Sequence, residues 1–220
     1  MSRALVIAWA AALSAPALAV QLHAQARWEV SVGASGAQEI VRSRPDTTRE
    51  RRSGLVFTGE AVATRGRRLV ARVRYGQGRV TADTGTPPSP RRNVVEGEAL
   101  FGYKVRPWLT LWVGPHARTF VVTGLSDRRW LFWSGRATAR GGLFPGVESF
   151  LELWQGFTGT LSRPAGSASG GGAEAGLELR LARRPLWARL GYRIEQGRAN
   201  GGPRETVEAF TLTVGYVPLR

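Results

Sequence analysis

The chain has 220 residues and a formal charge of +15, with 31 Lys and Arg against 16 Asp and Glu, and that length suits one domain. It contains no cysteine, which excludes disulfides, thiolate metal sites, thiol catalysis and lipid-modified cysteine. Of the basic residues only Lys104 is a lysine, and an excess of this size points to phosphate partners: nucleic acid, phospholipid head groups or lipopolysaccharide.

Residues 1–26 read as a secretory signal. "MSR" is a short positive start, "ALVIAWAAAL" an apolar core of about ten residues, and "SAPALA" a small-residue tail. Ala17-Leu18-Ala19 and Ala24-Gln25-Ala26 both have the A-x-A form, so cleavage falls after residue 19 or after residue 26. The alternative, an N-terminal core helix, lacks a capping signal. Residues 27–220 remain as a single domain. Export turns the basic charge away from nucleic acid and toward an envelope surface.

No later stretch approaches eighteen consecutive apolar residues, and helical periodicity is missing. Period-2 alternation recurs instead, in runs of the length that strands between two media adopt. In chain order they are Trp28–Ser35, Leu55–Thr64, Arg68–Tyr75, Val94–Lys104, Trp108–Arg118, Arg129–Arg140, Val147–Phe157, Ala173–Ala182, Leu186–Glu195 and Thr206–Val217. Short connections (Arg65–Arg67, Val105–Pro107, Gly141–Gly146, Arg183–Pro185) alternate with long ones, among them Gly36–Gly54, Gly76–Asn93 and Thr158–Gly172. The last contains "RPAGSASGGG", which reads as low-complexity loop. Strict alternation puts the tight turns at one end of a sheet and the long loops at the other. The expected fold is all-β: a closed antiparallel up-and-down transmembrane β-barrel of about ten strands, with eight or twelve as neighbouring solutions.

One alternate row of each run is uncharged, for example Leu55, Phe57, Gly59, Ala61 and Phe210, Leu212, Val214, Tyr216. The opposite rows carry Glu60, Arg72, Arg74, Glu96, Glu98, Arg136, Arg140, Glu148, Glu152, Glu174, Glu178, Arg180, Arg189 and Arg193. Hairpin registers then set Glu60 against Arg72, Arg136 against Glu152, Arg140 against Glu148, Glu178 against Arg189, and Glu174 against Arg193. Such pairs are worth only about 0.2–1 kcal/mol each on an exposed sheet. Inside a narrow lumen an unpaired charge is far costlier, so the matching favours enclosure of the charged rows. A register that pairs Lys104 with Trp108 makes His116 face Glu96.

On these features the chain resembles the small outer-membrane β-barrel proteins of Gram-negative bacteria. The resemblance covers nearly all of the mature sequence, and the last strand, "ETVEAFTLTVGYVPLR", is similar to the C-terminal assembly signal of that class through Phe210, Leu212, Val214 and Tyr216. It departs in ending on Pro218-Leu219-Arg220 rather than an aromatic residue. The resemblance implies Sec-type export, outer-membrane location, and contact with the barrel assembly machinery, outer-membrane lipid and lipopolysaccharide.

Chemistry is sparse. His116 is the one histidine clear of the signal region, and Asp46, Asp83 and Asp127 fall in long connections. Neither a serine-histidine arrangement nor a metal-ligand spacing can be assembled, so no catalytic residue, cofactor or metal is assigned. Arg42, Arg44, Arg49, Arg51 and Arg52 form a basic cluster in the first long connection, read as a solvated loop or as a site for lipopolysaccharide phosphates or another anionic surface. Trp28, Tyr103 and Tyr216 are expected in an aromatic girdle, while Trp108 and Trp187 share the inward row and are expected to close the lumen. The leading expectation is a non-enzymatic barrel with a side-chain-filled lumen, structural or surface-interacting, that contacts no nucleic acid. The alternatives are a secreted soluble barrel holding a hydrophobic ligand and a lipid-modifying enzyme using His116 and Glu96.

Overall fold

The structure, a computed structural model, describes residues 28–44, 50–82, 92–122, 128–162, 165–181, 184–199 and 204–217. Ten strands follow one another: β1 (Trp28–Arg44), β2 (Glu50–Arg65), β3 (Leu69–Ala82), β4 (Arg92–Arg106), β5 (Leu109–Val122), β6 (Arg128–Phe144), β7 (Val147–Ser162), β8 (Ala165–Arg180), β9 (Leu186–Ala199) and β10 (Arg204–Tyr216). Each is antiparallel to its sequence neighbours, and β1 also pairs with β10, closing an up-and-down barrel. All ten runs of alternation correspond to these strands.

The strands outrun the alternation at the long-connection end. β1 continues to Arg44, and β2 begins at Glu50. The stretch read as a flexible loop is mostly strand: Ala165–Gly172 belongs to β8, which pairs with β7 as far as Ser162 opposite Ala165. Alternation marks only the height at which one face meets an apolar medium. Beyond that height backbone pairing still satisfies donors and acceptors, so polar and glycine-rich sequence extends the sheet without a hydrophobic signature. The expected signal segment, residues 1–26, lies outside the described residues.

Two tight turns rest on their local sequence. Pro145 and Gly146 link β6 to β7, with Gly146 at φ +81°. Proline second and a left-handed glycine third is the type II arrangement. Gly66, at φ +59°, opens the turn from β2 to β3, a conformation that glycine adopts without steric cost.

The barrel is apolar outside and charged inside. Leu55, Phe57, Phe101, Leu131, Leu153, Leu177, Leu190, Phe210 and Leu212 are all exposed. Leu177, Leu190 and Leu212 stand side by side in register on β8, β9 and β10. The inward row of the same strands buries Glu178, Arg193, Glu195, Thr211 and Thr213. Inward aromatic rings are accommodated by glycines: a Cβ at Gly102 would collide with Trp112, one at Gly170 with Phe132, and one at Gly215 with Trp187. Large rings and bare backbone on neighbouring strands thus fill the interior together.

Candidate functional site

The interior charges form a continuous lattice across the barrel. Glu152 of β7 accepts hydrogen bonds from both terminal nitrogens of Arg72 (2.9 and 2.8 Å), from Arg136 Nη1 (3.0 Å) and from Thr138 Oγ1 (2.8 Å). Arg72 Nε also lies 2.9 Å from Glu98, which Arg136 contacts in turn. Glu96 draws in Arg118 at 3.1 Å, Arg193 at 3.2 Å and Arg74 at 3.6 Å. Toward the tight turns, Glu178 gathers Arg189 (2.8 Å), Arg140 (2.9 Å) and Arg180 (3.0 Å). Every carboxylate here faces at least two cations from different strands. Sharing of that kind is what makes burial of so many charges tolerable, because a lone buried ion forfeits several kcal/mol of hydration (an order-of-magnitude cost).

Aromatic faces complete the coordination of the guanidinium groups. Arg72 lies over Trp112 at 5.0 Å, Arg136 over Trp154 at 5.1 Å, and Arg189 near both Trp187 (5.0 Å) and Phe150 (5.2 Å). A desolvated guanidinium gains about 2 kcal/mol from such a contact. His116 stacks on Trp154 with ring centroids 5.4 Å apart.

The expected pairings are partly re-sorted. Arg136 meets Glu152, Arg140 meets Glu148 at 3.6 Å, and Glu178 both opposes Arg189 in the ladder and binds it. Glu174 opposes Arg193 in register, but its ion pair is with Arg74 at 4.0 Å, while Arg193 turns to Glu96. Glu60 does not pair with Arg72. Its ladder partner is Arg74, because the turn holds Gly66, Arg67 and Arg68, and its ion pair is with Arg189 across the lumen at 3.5 Å. His116 does not pair with Glu96 either. The turn between β4 and β5 is Pro107–Trp108, with a register shift between Lys104 and Arg106, so His116 opposes Glu98. His116 Nδ1 lies 3.4 Å from Glu98 and Nε2 lies 3.2 Å from Glu195. The buried imidazole is thus clamped between two carboxylates. Pairwise ladder logic missed Arg118 and Glu195, although Glu195 shares the inward row of Arg189 and Arg193 and that parity would have found it.

Two apolar features occupy the interior. Toward the long connections, Val56, Val80, Val94, Trp130, Phe132, Trp154 and Val207 form a buried apolar cluster. Toward the turns, Trp187 is buried, with its indole beside Gly33 and over Gly215. Between them lies a cavity of about 80 Å³ lined by Glu60, Arg72, Arg74, Glu152, Glu174 and Arg189 among others. That is room for a few waters and no more. Trp108, by contrast, sits on the turn itself and is 56% exposed, so it does not close the lumen.

The remaining expected groups are the aromatic girdle and the basic cluster. Tyr103 and Tyr216 are exposed at the turn end, and Arg68 Nη1 donates to Tyr103 Oη at 2.6 Å. The side chain of Trp28 lies outside the description, although its backbone pairs with Arg65. The basic cluster is not a loop. Arg42 and Arg44 lie in β1, Arg51 and Arg52 in β2, and Arg49 outside the described residues. Arg52 faces inward and is buried, whereas Arg42 and Arg51 are exposed. The stretch is polar because the sheet there projects beyond the apolar belt.

No family model matches the chain, and no curated protein matches it. Among solved structures, the translocator domain of the autotransporter NalP from Neisseria meningitidis has 14% identity and a TM-score of 0.48, over 98% of this chain and 99% of that one. The beta domain of the Bordetella autotransporter BrkA has 11% identity and a TM-score of 0.48, over 86% and 100%. Ail, the attachment invasion locus protein of Yersinia pestis, has 13% identity and a TM-score of 0.44, over 86% and 98%. Likenesses this distant assign no role to the chain.

Proposed function

We propose that this chain is an integral outer-membrane β-barrel of structural or surface-interacting role, with a closed lumen and no catalytic machinery. The observation that carries the reading is the inversion of burial. Phenylalanine and leucine side chains cover the exterior, while Arg136, Glu152, Arg193 and Glu195 are at most 7% exposed. Water would not tolerate so large a continuous apolar surface on a monomer, whereas lipid requires it and a closed barrel leaves no unpaired sheet edge there. The same inversion speaks against a soluble barrel with a hydrophobic ligand inside, since the apolar row faces away from the lumen. In this reading residues 1–26 direct Sec-type export, and β10 presents Phe210, Leu212, Val214 and Tyr216 to the barrel assembly machinery.

Fractionation of a Gram-negative host expressing the full chain, followed by gels of boiled and unboiled samples, tests the proposal. The expected result is recovery with outer membranes and a faster band before boiling. A product that stays soluble and shows one mobility under both conditions overturns it.

A further inference from the structure

Four adjacent strands, β9, β10, β1 and β2, carry an unusual arrangement on their outward face at the long-connection end. Above the exposed pair Tyr192 and Phe210, the next outward level holds Ile194, Glu208, Ile40 and Ser53 in register. Directly beyond it the ladder sets Arg42 opposite Arg51. One level further it sets Arg198 opposite Arg204, and Arg204 opposite Arg44. Arg42, Arg51, Arg198 and Arg204 thus stand at adjacent levels of one face within four strands, a span of about 15 Å at normal strand spacing. The acid on this face is Glu208, which Arg42 grips through both guanidinium nitrogens. Closure of β1 onto β10 is what unites the patch, since Arg42 and Arg204 are far apart in sequence.

We propose that this wall is a docking surface for a phosphorylated glycolipid of the outer leaflet, of the lipid A type. Its phosphates would lie against Arg42, Arg51, Arg198 and Arg204, and its acyl chains against the apolar belt below. Guanidinium forks suit phosphate oxygens geometrically. The patch sits where the belt ends, the height at which a lipid phosphate meets a barrel wall. A free phosphate would match the charge but would gain nothing from Tyr192, Ile194 or Phe210 beneath it. The inference rests on the membrane reading above.

The test uses the full chain refolded into phosphatidylcholine vesicles, titrated with lipid A, with enzymatically dephosphorylated lipid A and with inorganic phosphate. Binding is read by tryptophan fluorescence and by native mass spectrometry. The variant Arg42→Gln/Arg51→Gln/Arg198→Gln/Arg204→Gln is expected to lose at least about tenfold in affinity for lipid A. Dephosphorylated lipid A is expected to bind wild type and variant equally weakly, and inorganic phosphate to bind neither measurably. Restoring lysine at the four positions is expected to recover part of the loss, and Arg65→Gln/Arg68→Gln at the opposite end to change nothing. Equal lipid A affinity in wild type and quadruple variant overturns the inference, as does equal binding of both lipid A forms by the wild type. Tight binding of inorganic phosphate alone would also overturn it, by assigning the patch to free anions. The heat-dependent gel shift, measured on the same samples, reports failure of the membrane reading separately. If the quadruple variant does not refold, Arg204→Gln alone carries the comparison.

Discussion

The indole of Trp187 occupies the space that a side chain at Gly215 would need, and the two are direct cross-strand partners on β9 and β10. The same ring reaches Gly33 on β1, so it spans the seam at which the barrel closes. Gly215→Val forces the ring off its seat and overfills a packed end of the lumen. A loss of about 1–3 kcal/mol is expected, the range for overpacked cores. Gly97, on the outward row of β4 with open space around its Cα, provides the control, and Gly97→Ala is expected to leave stability nearly unchanged. Urea titrations followed by unboiled gel mobility measure both.

Glu152 is the hub through which β3, β6 and β7 are tied, because Arg72, Arg136 and Thr138 all donate to it. Glu152→Gln preserves shape and removes the charge that two buried guanidinium groups share. The expected cost is about 3–5 kcal/mol, as for one partner removed from a buried pair. Glu152→Leu with Arg136→Met removes charge of both signs and is expected to cost less than the sum of the single changes. Additive effects in that double-mutant cycle would mean the two residues do not share a lattice.

Strand count, order and facing were legible in the sequence because period-2 alternation is imposed directly by two media on two faces of a sheet. Leu190 and Arg189 announce outside and inside by parity alone. The extent of the strands was not legible, since Gly166–Gly172 carries no alternation of apolar and polar residues yet pairs with its neighbouring strands. Partner choice inside the lumen was legible only where a turn length was fixed by its residues. The two-residue difference at Pro107–Trp108 moved His116 from Glu96 to Glu98. Nor can hairpin logic anticipate contacts across the lumen, such as Glu60 with Arg189 or His116 with Glu195. Those depend on closure, which brings together side chains distant in sequence.

The apolar cluster toward the long connections makes a direct statement about transport. Trp130, Phe132 and Trp154 are its aromatic part, with Phe132 packed over glycines of β7 and β8. The wild-type protein in planar bilayers is expected to pass no steady current. Trp130→Ala/Phe132→Ala/Trp154→Ala removes three large rings, and the glycines beside them offer no side chain to refill the space. Stepwise conductance from the triple variant, absent from the wild type, is the expected outcome. A large open-channel current from the wild type would contradict a plugged lumen.

Leu190 separates a lipid-facing exterior from a water-facing one most cleanly. It is 59% exposed and lies between Leu177 and Leu212 in the middle of the belt. On a soluble barrel an exposed Leu→Arg change falls within about 0.5 kcal/mol of neutral. At the hydrocarbon midplane of a bilayer an arginine costs about 2–4 kcal/mol, and nearly nothing close to the interface. Leu190→Arg in phosphatidylcholine vesicles is therefore expected to destabilise by the larger amount. Tyr216→Arg, nearer the turn end of the neighbouring strand, is expected to cost well under half as much. Depth dependence distinguishes lipid solvation from a local packing defect, because both sites are exposed on the outward face and differ in height. Equal, small effects at both positions would place the belt in contact with something other than hydrocarbon.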